Sequence, residues 1–198
     1  ADDKASAAWS ASIAKAELLP ELIDEVQDIA GIYNWKINVY ERQFPENSFG
    51  MPDYNQSIYG VSFTPPGCET ISLCFLSNGR MSSHAHLKFY GKTNKQPEKE
   101  YLYMLSVKTQ FANVETHQFI IQLFRYLNTK YFVSFTLTDD GRYWETNDID
   151  ILKTNFKRNA NLISGFSSAL ECVPMEKGET IEKYFKRLLN LIQKRKKR

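Results

Sequence analysis

Four side chains able to ligate a metal or act as a nucleophile–base pair fall between Gly67 and Tyr90: Cys68, Cys74, His84 and His86. Thiolate and imidazole are preferred zinc ligands, and a Cys–His pair is also a minimal set for nucleophilic catalysis. A strand over Met81–Tyr90 would put both histidines on one polar face, because side chains alternate with period two. The turn "SNGR" sets which residues oppose them. A two-residue Asn78-Gly79 loop sends Ile71, Leu73 and Phe75 to the histidine face. A three-residue Ser77-Asn78-Gly79 loop, with Gly79 as a left-handed bulge residue, pairs Leu76 with Arg80 and groups the apolar residues with Met81, Ala85 and Leu87. Burial favours the bulged turn.

In that register Cys74, His84 and His86 share a side with Cys68. The two cysteines are six residues apart, about 20 Å along an extended strand, so one ion with bonds of about 2 Å cannot hold both. The expected state is therefore no metal and no cofactor, with solvated histidines and half-buried cysteines; a set of His84, His86 and Cys74 is the most this face offers. His117 reads as a polar surface residue at a helix start. The chain has three cysteines, an odd number that does not suggest a disulfide framework.

Other chemistry-bearing groups are sparse. Asp139-Asp140 sits on a turn and Asp148 with Asp150 at a helix start, neither offering the contrasting environments that separate an acid from a base. The sequence contains no nucleophile elbow, zinc-protease helix, phosphate-cradling glycine loop or dinucleotide fingerprint. Two stretches carry aromatic and charged residues suited to contact surfaces. One is the irregular loop 45–57, with Phe49, Met51 and Tyr54; the other is Arg142, Tyr143, Trp144 and Glu145. The second also admits a structural reading, with Trp144 on the core and Asp139 paired to Arg142 across a hairpin turned at Asp140-Gly141.

The charge is unevenly spread. The net value is +2, yet the last 13 residues hold 7 Lys or Arg and no acid, leaving 18 basic against 23 acidic residues in 1–185. An acidic body argues against a globally basic nucleic-acid binder. The tail Lys194, Arg195, Lys196, Lys197 and Arg198 could meet phosphate, anionic lipid or an acidic partner by charge alone. No apolar run reaches the roughly 20 residues that span a bilayer.

The elements that would position these groups follow from periodicity. Helices are expected over Pro20–Ala30, over Val114–Lys130 with Asn113 as cap, from about Ile149 to Leu170, and from Thr180 onward. Residues 1–15 read as frayed helical turns or a stretch foreign to the native chain. Strands are expected at Tyr33–Phe44, Ile58–Thr64, Thr70–Leu76, Met81–Tyr90, Tyr101–Lys108, Tyr131–Thr138 and Arg142–Thr146. Together these imply a single α+β domain over 1–198, a mostly antiparallel meander sheet of six or seven strands with helices on one face. The functional expectation is a non-enzymatic cytoplasmic domain that binds another protein, in the manner of immunity or antitoxin-type inhibitors, adaptors or assembly subunits. The alternatives are a small-molecule enzyme using the His84/His86/Cys74 face and nucleic-acid binding through the basic tail.

Overall fold

The computed structural model describes residues 6–109 and 112–195. The chain divides into two compact units, 1–155 and 156–198. The described residues are mixed α+β, with seven α-helices and two three-stranded antiparallel sheets in place of the single meander sheet expected from the sequence.

The first sheet is ordered β5-β1-β6, where β1 is Ser6–Ile13, β5 Leu105–Lys108 and β6 Phe132–Asp139. The Ala-rich start of the chain is thus a central strand, not helical turns. Ala7, Trp9, Ala11 and Ile13 are buried while the residues between them are half-exposed, the period-two signature of a strand. Pairing on both edges overrides the helical propensity of its alanines.

The second sheet is ordered β2-β3-β4, with β2 Lys36–Val39, β3 Tyr59–Thr64 and β4 Ile71–Phe75. The bulged turn after β4 forms as expected. Leu76 N–H donates to Arg80 O, Phe75 bridges to Met81, and Gly79 adopts a φ of +85°. A Cβ on Gly79 would come within 2.4 Å of the Phe49 ring, so glycine is required both for conformation and for the packing of loop 45–57. The same segment stitches the two sheets: Met81 N–H donates to Ala11 O, and Ile13 N–H to Gly79 O.

Two expected strands are helices. The chain leaves extended conformation after Met81 because Ser83 caps α2 (His84–Tyr90), its hydroxyl accepting from His86 N–H at 3.1 Å. Arg142–Thr146 forms no hairpin with β6. Asp139 accepts from the amides of Gly141, Tyr143 and Trp144 and so starts α5 (Tyr143–Thr146). Leu137 and Thr136 pair instead with Trp9 and Ser10 of β1.

The long helices follow their apolar spacing. In α1 (Leu19–Ile32), Leu22, Ile23 and Val26 are buried behind a first-turn Pro20. Asn113 caps α4 (Val114–Tyr131), which buries Ile120, Leu123, Phe124 and Leu127. Trp9 packs on Phe124, and Trp35 stacks on Phe63 while meeting Phe119 edge-on. The opposite face also carries helices, unlike the one-sided layer expected. There Leu87 of α2 and Leu102, just past α3 (Gln96–Tyr101), cluster with Ile58, Cys74 and Leu76. Asp148 caps α6 (Ile149–Cys172), whose first turns belong to the first unit, and α7 (Ile181–Arg195) follows.

Candidate functional site

A groove of about 590 Å³ opens on the first unit. Its floor comes from β1 and β6, where Ser10 and Thr136 face each other and their hydroxyls hydrogen-bond at 2.8 Å. Thr138 continues the hydroxyl row. The walls come from separate stretches: Tyr54 of the long loop, Tyr90 at the end of α2, Lys99 of α3, and Tyr103.

Arg80 holds the rim together. Its guanidinium carbon lies 3.3 Å from the centre of the Tyr103 ring, a cation–π contact that leaves the planar edges of the group for other partners. Tyr54 donates to Gly91 O at 3.0 Å. Burial, reinforced by Tyr103 and opposed by Arg80, raises its pKa, so the phenol stays a neutral donor. The groove thus offers aromatic faces, hydroxyls and two cationic side chains to a single occupant.

The Cys/His set is dispersed. His84 and His86 do line one small pocket of about 270 Å³, together with Tyr40, Ser62, Ser72 and Ser83. Cys74 is turned away into the apolar cluster under α2, where its thiol donates to Val61 O and burial drives its pKa up. Burial also pushes the Cys68 thiol up to about 11. Neither cysteine is poised as a thiolate. His86 is half-buried, its pKa lowered by burial, and its buried Nδ1 has no hydrogen-bond partner. Among the described residues no three His, Cys, Asp or Glu side chains gather as a group able to hold a metal ion.

His117 is the largest departure from sequence expectation, being wholly buried and not a surface residue. Its Nδ1 meets the Thr109 hydroxyl at 2.7 Å and its Nε2 meets Asp139 at 3.1 Å. Thr109, His117 and Asp139 form an acid–imidazole–hydroxyl chain with the connectivity of a catalytic triad. All three are buried, and Asp139 already serves three backbone amides. We therefore assign this chain to structure. Burial tends to raise the Asp139 pKa, but the His117 bond and the Trp144 and Gly141 amides outweigh it and hold the carboxyl below its ordinary range.

The two surfaces singled out by the sequence lie in different settings. Phe49 packs on Phe44 and over Gly79, Met51 is exposed, and Tyr54 joins the groove. Tyr143 is buried, its hydroxyl accepting from Gln118 and Gln122, and Trp144 meets Phe135 and Arg125. Arg142 and Glu145 are exposed; Arg142 occupies the left-handed region, and Glu145 accepts from the Asp139 amide. In the basic tail, Lys194 and Arg195 end α7, and 196–198 lie outside the described residues. Sequence reading missed Ser10, Thr136 and Thr138 because their face exists only once β1 is recognised as a strand. No family model matches the chain, and no curated protein or solved structure matches it either.

Proposed function

We propose that the chain is a non-enzymatic binding domain that holds a polar segment of another protein in the groove over β1 and β6. One observation carries this reading: three tyrosines and a stacked arginine converge there on a floor of hydroxyls. Tyr and Arg dominate interface hot spots because they combine large rigid contact area with directed hydrogen bonds. The groove holds no thiol, histidine or carboxylate pair with which to run acid–base or covalent chemistry. The role fits an inhibitor of the immunity or antitoxin type, an adaptor or an assembly subunit. Free thiols at Cys68 and Cys74 support a reducing, cytoplasmic setting.

The test is a photo-crosslinking residue placed at Thr138 in the groove, or at exposed Glu115 as a control, in the cell that makes the protein. The expected result is a protein adduct from position 138 alone. Arg80→Ala should weaken that partner's affinity about thirtyfold or more while leaving the fold intact. Equal adducts at both positions, or none at 138, would end the proposal.

A second reading, a small-molecule site at His84 and His86, is favoured by the unpartnered Nδ1 of His86 beside a hydroxyl-lined pocket. It proceeds without Cys74.

A further inference from the structure

The pocket of about 270 Å³ beside α2 lies where the two sheets of the first unit meet. Ser62 and Ser72 stand opposite each other on β3 and β4 and supply its floor. Trp9 and its cross-strand partner Leu105 supply a wall from the first sheet. Ser83 and His86, at the start of α2, cover it. Trp9 follows and precedes residues whose side chains face the other way along β1, so its indole turns to the side opposite the groove floor at Ser10. Two polar atoms at this pocket have no hydrogen-bond partner among the described residues. Trp9 is 2% exposed and its Nε1 is buried without an acceptor; Nδ1 of His86 is buried without a partner. A buried polar atom left unbonded is costly, and a bound oxygen removes that cost. The Ser83 hydroxyl accepts from His86 N–H at 3.1 Å, which leaves its own proton to donate.

The rest of the lining selects the class of molecule. It holds hydroxyls, two imidazoles and aromatic rings, with no Asp, Glu, Lys or Arg. A carboxylate, phosphate or ammonium group would enter without a permanent countercharge, and burial works against the His86 imidazole supplying one. A wholly apolar molecule would leave both nitrogens and the floor hydroxyls unbonded. A hydroxyl group both donates and accepts. A neutral hydroxylated molecule can therefore accept from Trp9, meet His86 in either tautomer and pair with Ser62 and Ser72. Drug-sized ligands fill pockets of about 300–1,000 Å³, so this one suits something smaller.

We propose that this pocket binds a small neutral polyhydroxylated molecule, of the size of a single sugar ring, through Trp9 Nε1, His86 Nδ1 and the hydroxyls of Ser62, Ser72 and Ser83. The assignment rests on the second reading above, that the pocket is a small-molecule site, and is independent of what the groove binds.

The test is NMR on the full chain with isotope-labelled tryptophan, whose three indole N–H signals are assigned with Trp9→Phe. The probes are glucose, ribose and myo-inositol as polyols, acetate and phosphate as anions, and benzene as an apolar molecule. The expected result is a saturable shift of the Trp9 signal with a polyol, while Trp35 and Trp144 stay put and the anions and benzene bind far more weakly. Ser72→Leu, which fills the floor, and His86→Ala, which removes Nδ1, should each weaken polyol binding about tenfold or more. Circular dichroism checks both folds; if Ser72→Leu unfolds, His86→Ala, at a half-buried helix position, carries the same reading alone. An anion or benzene that binds at Trp9 as tightly as the polyols would overturn the polyol class and keep the pocket as a small-molecule site. No shift with any probe would end both. A polyol shift that the folded variants leave untouched would place the molecule elsewhere and overturn the proposal.

Discussion

Asp139 and Glu25 invite comparison because both are carboxylates ringed by donors, and in both the ring outweighs burial and holds the pKa below its ordinary range. Their donors differ in kind. Asp139 is met by His117 and by three backbone amides at the start of α5. Glu25, on α1, is met by the hydroxyls of Tyr126 and Tyr131 and by Lys130 at 3.1 Å, all from α4. The first set is fixed by the backbone and closed to water. The second is carried by long side chains, of which Tyr126 and Lys130 are open to solvent. Burial and pre-organisation, more than the number of bonds, decide what such a cluster contributes.

The largest consequence falls on Asp139. Asp139→Ala orphans the amides of Gly141, Tyr143 and Trp144 and removes the carboxylate that meets His117 Nε2. Leaving buried donors without their acceptor costs about 1–3 kcal/mol or more, and urea unfolding should report at least a loss in that range. Asp139→Asn, which keeps one acceptor oxygen, should lose less. A loss under about 1 kcal/mol for the alanine variant would show that water or neighbouring groups replace the carboxylate, and would erase the contrast with Glu25.

How much of this was legible beforehand depends on where the deciding partner sits in the sequence. The helices α1, α4, α6 and α7 carry their own signals: Leu22, Ile23 and Val26 in α1, the Asn113 and Asp148 caps, and the repeat of Ile181, Phe185 and Leu188. The bulged turn at Gly79 was readable because one register alone buries Ile71, Leu73 and Phe75. The failures lie where a distant or short-range side-chain bond decides. Tyr-Trp-Glu-Thr is acceptable as strand until Asp139 claims the amides of Tyr143 and Trp144. His-Ala-His alternates like a strand until Ser83 caps it. In β1, alanine occurs on both faces and blurs the alternation, so the strand, and the groove floor it forms with Thr136, had no local sign. His117 could be known as interior only through Thr109 and Asp139, which reach it from β5's end and from β6.

A pH titration of stability sharpens the comparison. Both carboxylates ionise more readily folded than unfolded, so their contributions are complete above the unfolded pKa values, about 3.9 for Asp and 4.3 for Glu. As pH falls through that range the unfolded chain takes up protons first, and stability drops until the folded groups are protonated too. Wild type should therefore weaken steadily below about pH 4. Asp139→Asn should flatten that acid limb visibly more than Glu25→Gln. Equal flattening would mean that the solvent-facing cluster couples to protons as strongly as the closed one.

The smallest effect is expected at Glu25 itself. Glu25→Gln keeps the size of the side chain and one carbonyl acceptor for Tyr131, while Lys130 retains Glu21 at 2.9 Å. The tyrosine hydroxyl can also turn to Glu21, which already lies 3.4 Å away. With a substitute acid one helical turn back and water at hand, the loss at neutral pH should stay within about 1 kcal/mol and shrink further in high salt. The double variant Glu21→Gln/Glu25→Gln removes the substitute. A cost well above the sum of the two single changes would show that the acids stand in for each other. A strictly additive result would instead make each bond independent, so the cluster's tolerance would come from solvent and not from redundancy.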